Sequence, residues 1–203
     1  WQHDRRSHEH VDGRLPGALL DFLQKYGLGE WFGGLIKFVD PRDFYPTLAL
    51  WFGADSTFSH RDCHVIAISA FGDLFVWSER YHAVKINAAD SRIDASALMD
   101  STRIAEPDVD VYLIFSSSDP IESFDAFDGE DKPLFKRCVT QFGLLELDEI
   151  YGFKLPISLG GERRIENLKK VKMKEHLMIL AQTEPLKLMD YSTFPPRFVR
   201  EIG

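Results

Sequence analysis

The hydrophobic positions near the start of the chain repeat with the period of a helix. Leu19, Leu20 and Leu23 lie three to four residues apart within "LPGALLDFLQKYG", residues 15–27. This spacing places the apolar side chains on one face of a helix, and Gly27 favours termination at its end. We therefore predict that the first ordered element is an amphipathic helix.

The next part of the chain has the alternation of a β-meander. Two apolar runs rich in Val, Ile and Phe lie within "HVIAISAFGDLFVW", residues 64–77, and a Gly-Asp turn joins them. This pattern indicates an antiparallel hairpin, and "HAVKIN" at 82–87 predicts a third strand. Ahead of the hairpin, we predict a short strand over 34–41 and a helix over 41–52.

The second half of the chain has weaker signals. "DVDVYLIFSSS", residues 108–118, alternates like a strand, but a five-residue apolar run does not distinguish a strand from a helix. Residues 132–143 have a helical apolar face, and "LDEIYGFKLP" at 147–156 indicates an extended segment. We predict that 165–182 is mostly helical and that the tail, 191–203, is irregular.

Together these elements predict an α+β protein in which helices pack on antiparallel sheets in two small subdomains. We place a boundary near residue 107, with a first domain over 14–107 and a second over 108–190. With 44% hydrophobic residues among 203, the chain can form a substantial core.

Cellular location is indicated by apolar runs and cysteines. The longest apolar runs are five residues, far short of the roughly 20 that a membrane helix needs. The first residues lack the apolar core of a signal peptide. Cys63 and Cys138 are too few for a disulfide framework, which favours a reducing compartment. We expect a cytoplasmic protein.

Acidic charge is concentrated in the middle of the chain. The net charge is -8, and residues 90–131 alone carry twelve acids against two bases, a local net of -10. The other residues carry 20 acids and 22 bases, a net of +2. Such a block is either a solvated, flexible face or a docking surface for a basic partner. The twelve acids are Asp90, Asp94, Asp100, Glu106, Asp108, Asp110, Asp119, Glu122, Asp125, Asp128, Glu130 and Asp131.

The densest acidic stretch, "ESFDAFDGEDK" at 122–132, which we call the acidic segment, does not fit a metal or catalytic motif. An EF-hand calcium loop needs an oxygen ligand at its first position, where counting back from Gly129 places Phe124. Asp125 and Asp128 form a candidate acid/base pair, but no nucleophile or base lies near them in the sequence. Of a metal site, a catalytic pair and a docking surface for a basic partner, the docking surface fits the stretch best.

Other candidate motifs are incomplete. "HRDCH" at 60–64 has metal-ligand spacing but no second ligand pair, and "SLGGERR" at 158–164 lacks the residues of a phosphate-binding loop. Neither a G-x-S-x-G nor an H-E-x-x-H motif occurs. We therefore expect no enzyme activity, no metal and no cofactor.

A basic stretch supports an alternative function. Residues 163–174 form either a solvated helix face or a nucleic-acid contact surface, and the latter would make the chain a DNA-binding transcriptional regulator. The acidic charge of the whole chain disfavours contact with DNA. The bases of this stretch are Arg163, Arg164, Lys169, Lys170, Lys172 and Lys174.

Several longer stretches resemble a known family. They lie at 15–41, 67–77, 134–161 and 166–182, and their clearest markers are "FGDLFVW", "LDEIYGF" and "SLGG". Over most of residues 14–183 the chain resembles bacterial proteins that join an N-terminal GAD-like domain to a C-terminal domain of type VI secretion immunity proteins. The acidic middle carries none of these markers.

The resemblance implies an immunity protein that binds a cognate toxin, in this family typically a DNase. A basic DNA-binding face on such a toxin suits the acidic segment, and aromatic side chains there would add apolar anchoring. We predict toxin contacts at Asp119, Glu122, Phe124, Asp125, Phe127, Asp128, Glu130 and Asp131. Should the interface lie between the two domains instead, the secondary candidates are Asp73, Glu149, Asp108 and Asp110.

Overall fold

The computed structural model describes residues 13–53, 55–104, 106–115 and 119–203. Seven α-helices occur in these ranges: α1 Gly17–Tyr26, α2 Tyr45–Phe52, α3 Ser96–Met99, α4 Pro107–Phe115, α5 Pro120–Phe124, α6 Phe135–Phe142 and α7 Met173–Thr183. The strands are β1 Gly29–Trp31, β2 Ile36–Phe38, β3 Cys63–Ser69, β4 Asp73–Ser78, β5 His82–Asn87, β6 Arg92–Asp94, β7 Glu149–Phe153, β8 Leu168–Lys172, β9 Leu186–Asp190 and β10 Arg197–Ile202.

Eight strands form one sheet, in the order β1-β2-β3-β4-β5-β6-β9-β10, and β7 pairs with β8 in a second. All neighbours are antiparallel except β6 and β9, which are parallel. The α+β class predicted from the sequence is therefore confirmed. The large sheet includes two strands from beyond residue 107, and the division into two subdomains stays a prediction.

The central hairpin separates two hydrophobic cores. Leu74 and Val76 of β4 belong to one core, while Phe75 and Trp77 belong to the other. This division follows from the geometry of a strand, in which successive side chains point to opposite faces. Helices α2 and α7 cover the first face, and α1, α4 and α6 contribute to the core on the second. Because both faces are covered, every residue of β3 is buried.

Three segments of the second half of the chain have a different or more specific structure than the sequence predicts. The ambiguous stretch at 108–118 is helical over Pro107–Phe115. The predicted helix at 165–182 is wrong in its first part, because Leu168–Lys172 is strand β8 and the helix begins at Met173. The tail predicted to be irregular forms β10, an edge strand with mostly exposed side chains. Because most of its side chains are exposed, this strand lacks the apolar alternation of a half-buried strand.

Tyr151 and Lys37 connect the first half of the chain to the second. The Tyr151 backbone N–H donates to the carbonyl of Ala70 at 2.8 Å, and its ring lies in the core near Phe71. Lys37 is only 2% exposed, and its Nζ donates to the carbonyls of Glu146 at 2.5 Å and Glu149 at 2.7 Å. These contacts position β7 against the large sheet.

Candidate partner-binding cleft

A cleft of about 350 Å³ lies where the large sheet, the acidic segment and the second half of the chain meet. The sheet contributes the ends of β4 and β5 and the turn before β4. The other two walls come from the loop after α5 and from residues near β7 and β8. The lining residues are Phe71, Asp73, Lys85, Asn87, Ala89, Asp125, Ala126, Phe127, Asp128, Asp131, Phe153 and Arg163.

The sheet places a carboxylate, an ammonium and an amide side by side in the cleft. Asp73 is the first residue of β4 and pairs in register with Asn87 of β5, while Lys85 lies two residues earlier on β5. The Lys85 Nζ is 3.5 Å from the Asp73 carboxylate. Burial raises the pKa of Asp73, although the nearby Lys85 and Arg163 charges act in the opposite direction. Asp73 is therefore a desolvated carboxylate with a loosely held counter-ion.

Arg163 adds a second charge pair to the cleft. Its guanidinium hydrogen bonds to the carboxylate of Asp90, whose side chain is 10% exposed. The two residues are 73 positions apart, and the contact joins the turn between β5 and β6 to the loop before β8. Because Asp90 neutralises Arg163, the positive charge of Arg163 is not free to repel a cation entering the cleft.

Asp125 has a structural role, because backbone N–H groups donate hydrogen bonds to its carboxylate. Its Oδ1 accepts hydrogen bonds from the backbone N–H groups of Leu134 at 3.2 Å and Phe135 at 2.9 Å, at the start of α6. Burial raises the pKa of Asp125, while those backbone hydrogen bonds act to lower it. Asp125 therefore serves as the cap of a helix.

Asp125→Ala is expected to lower the free energy of unfolding by about 1 kcal/mol, because the first turn of α6 loses its side-chain acceptor. Glu130→Ala is the matched control, since the Glu130 side chain is 75% exposed and exposed ion pairs contribute little. Urea denaturation of both variants measures the difference. Equal stabilities of the two variants would contradict the capping role.

Asp128 organises the loop that follows. Its carboxylate accepts from the backbone N–H groups of Glu130 at 2.9 Å and Lys132 at 3.0 Å, and it forms an ion pair with Arg137. The hydrogen bond from Arg137 is the main reason why its pKa is lowered to about 2. Asp128 is thus already occupied by partners within the chain.

The two phenylalanines of the acidic segment have different environments. Phe124 is 3% exposed and packs against Phe75 and Phe115, so its ring belongs to the core and does not reach the surface. Phe127 is half-buried and lines the cleft. Phe127 is consequently the aromatic side chain of this segment that a partner can contact.

The predicted acids that stay exposed are fewer than the sequence suggests. Asp119 is exposed but also caps α5 through the N–H of Ile121 at 2.9 Å. Glu122, Glu130 and Asp131 are exposed, and Asp131 lines the cleft. Glu130 forms only an exposed ion pair with Lys132, a type of contact of little energetic value. The predicted acids that stay exposed are therefore Asp119, Glu122, Glu130 and Asp131, which we call the acidic rim, and Asp131 connects this set to the cleft.

The secondary candidates other than Asp73 lie outside the cleft. Asp108 accepts from the backbone N–H of Ala18 at 2.9 Å, at the start of α1. Asp110 lies 2.5 Å from Nδ1 of His82. Glu149 accepts from the N–H of Glu146 and forms an ion pair with Lys170 at 3.1 Å. The cleft thus brings Asp73 together with the acidic segment but leaves these three apart from it.

The last two residues of the incomplete metal motif at 60–64 are buried. Cys63 is fully buried, and burial raises the pKa of its thiol to about 12. His64 hydrogen bonds to the Tyr45 hydroxyl at 3.0 Å and to Glu79 at 2.9 Å. Within the described ranges, no group of three His, Cys, Asp or Glu side chains is arranged to hold a metal ion. Nor do those ranges contain a helix long and apolar enough to cross a membrane.

Most bases of the stretch at 163–174 lie beside carboxylates of the chain itself. Five of its six bases form ion pairs with carboxylates: Arg163 with Asp90, Arg164 with Glu162, Lys170 with Glu149, Lys172 with Asp148 and Lys174 with Asp43. A surface that binds DNA phosphates needs bases that are free to replace counter-ions. The pairs of Arg164, Lys172 and Lys174 are exposed and contribute little. Of these bases, Arg163 and Lys170 are held in partly buried pairs, so the DNA-binding regulator stays an alternative.

The fold and the cleft define a protein with a recessed polar site and an acidic rim, features that suit the binding of another protein. Comparison with protein families gives a more specific assignment. The GAD-like domain matches residues 3–90, and the C-terminal domain of the T6SS immunity protein Tdi1 matches residues 108–184. The chain belongs to the family of two-domain immunity proteins that combine these parts.

A solved structure shares the fold of the chain. The chain is 31% identical to Atu4351 from Agrobacterium tumefaciens, with a TM-score of 0.90 over 100% of this chain and 91% of that one. No curated protein matches the chain. The match to the Tdi1 family supports a role as a T6SS immunity protein. Residues from both matched regions of the chain line the cleft.

Proposed function

We propose that the chain is a cytoplasmic immunity protein that binds a cognate T6SS toxin, a DNase effector, and neutralises it without catalysis. Membership of the immunity family supports the role. The observation that carries the docking site is the cleft with its acidic rim, because residues of both matched regions line it.

The charge of the rim supports a DNase as the partner. A DNase must present a basic surface to the phosphates of its substrate. Carboxylates on the rim would pair with the same lysines and arginines, and a concentrated negative field would accelerate encounter. Binding in this way covers the DNA-binding face of the toxin and protects the producing cell and its kin during bacterial competition.

The first test changes the rim without changing the fold. We expect Glu122→Gln, Glu130→Gln and Asp131→Asn together to weaken binding to the product of the neighbouring effector gene by about 10-fold, mainly through slower association. The two proteins are co-purified, and the affinity and the residual DNA cleavage are measured. Asp125 and Asp128 are left intact because they hold the helix and loop in place.

The matched control makes the same charge change elsewhere. Asp21, Glu175 and Glu201 are exposed acids outside the acidic segment, and their conversion to the corresponding amides should leave binding nearly unchanged. Equal losses in both triple variants would show that net charge, not the rim, drives association. A wild-type chain that forms no complex but is retained on DNA, with retention falling steeply with salt, would favour the regulator instead.

A further inference from the structure

The ion pair of Asp73 is longer than several exposed ion pairs of the chain. Its side chain is 17% exposed, and the Nζ of Lys85 lies 3.5 Å away. By contrast, the exposed ion pairs of Lys172 with Asp148 and Lys174 with Asp43 are 2.8 and 2.9 Å long. A desolvated carboxylate gains most from a close, well-oriented cation. The Asp73 carboxylate could therefore form a closer ion pair with a cation that enters the cleft.

Lys85 is placed so that it can leave Asp73 at small cost. Its side chain is 41% exposed, and its Nζ lies 5.3 Å from the centre of the Phe75 ring. A lysine ammonium is strongly hydrated and sits on a flexible stem, so it returns readily to water while the stem stays on apolar surface. The internal ion pair is thus a replaceable contact.

The walls of the cleft suit a planar cation. Phe71, Phe127 and Phe153 line it, and a guanidinium stacks on aromatic rings as well as pairing with carboxylates. The Asn87 side chain, in register with Asp73 across the hairpin, accepts from the backbone N–H of Asp90 at 3.0 Å and so holds the turn that borders the cleft. A volume of about 350 Å³ is at the small end for ligand pockets, which favours one side chain over a nucleotide.

We propose that the cleft accepts an arginine side chain of the partner protein, whose guanidinium replaces the Lys85 ammonium beside Asp73. This inference rests on the proposed function, because it names the chemistry by which the same toxin is held. Lys85 acts as an internal occupant of the site in the free protein. The rim guides the basic partner to the cleft, and Asp73 holds one of its side chains there.

The test uses two substitutions that break the same internal pair but predict opposite results. Asp73→Asn keeps the shape and removes the charge, so binding of the effector should weaken by at least about 10-fold. Lys85→Met removes the competing cation, so binding should tighten by about 3-fold or more. Lys85→Arg retains a competing cation and should not tighten binding. Affinities are measured by titration calorimetry with the purified effector.

A purely structural role of the pair predicts a different pattern. If Asp73 and Lys85 only stabilise the hairpin, both substitutions should lower the melting temperature and weaken binding together. That result, or an Asp73→Asn variant that binds like the wild type, would overturn the arginine site and leave the proposed function standing. A wild-type chain that does not bind the effector would overturn both.

Discussion

Tyr151→Ala is expected to lower the free energy of unfolding by about 3 to 5 kcal/mol, the largest loss among the substitutions considered, because it removes a fully buried ring. Tyr151 has no exposed surface, and its ring lies 5.9 Å from that of Phe71 and 6.2 Å from those of Phe135 and Phe142. The lost contacts belong to both halves of the chain. Chemical denaturation followed by fluorescence and by circular dichroism measures the change.

Tyr151→Phe is the control for this prediction. It removes only the hydroxyl that donates to the carbonyl of Gly143 at 2.6 Å, so the cost should be about 1 kcal/mol. Because Phe71, which packs against this ring, and Phe153, which belongs to the same core, line the cleft, Tyr151→Ala should also weaken effector binding, whereas Tyr151→Phe should not. A loss below about 1 kcal/mol in Tyr151→Ala would show that the site collapses around the missing ring.

The central hairpin shows why part of the fold can be predicted from sequence. The apolar runs of β3 and β4 and the turn between them are local signals, and the structure confirms both strands. The edge strand β10 is different, because it is defined by pairing with β9 and only Ile202 is fully buried. The local sequence pattern does not show that a weakly apolar strand pairs with a distant one, so sequence analysis does not predict β10.

The candidate site shows a similar limit. Sequence analysis identifies the acidic segment, but it does not show that Asp125 and Asp128 already accept hydrogen bonds from the chain. Nor does it place Lys85 and Arg163 in the cleft, because the segments that carry them are far apart in sequence. Charge density is visible in composition, whereas the partners of each charge depend on tertiary contacts. Within the acidic segment, Glu122, Glu130 and Asp131 are exposed acids that can serve a partner without loss of the fold.

Lys37 is expected to raise the free energy of unfolding as the pH increases. Burial lowers the pKa of its ammonium from 10.5 to about 8, although the nearby Glu30 and Glu149 charges oppose this shift. Between pH 8 and 10.5 the unfolded chain therefore holds a proton that the folded chain has released. Stability increases with pH wherever the unfolded state binds more protons, and the shift corresponds to about 3 kcal/mol across this window.

Lys37→Met isolates this contribution. Tyr151 and Cys63, whose pKa values burial raises to about 12, destabilise the fold at high pH equally in both proteins. The free energy of unfolding of both proteins is measured by urea denaturation at pH 7.5 and pH 10. Relative to the variant, the wild type should be more stable at pH 10 than at pH 7.5. Parallel pH profiles would mean that Lys37 keeps its ordinary pKa. A neutral amine still has two N–H groups for the carbonyls of Glu146 and Glu149, so deprotonation relieves the buried charge without breaking the link between the two halves.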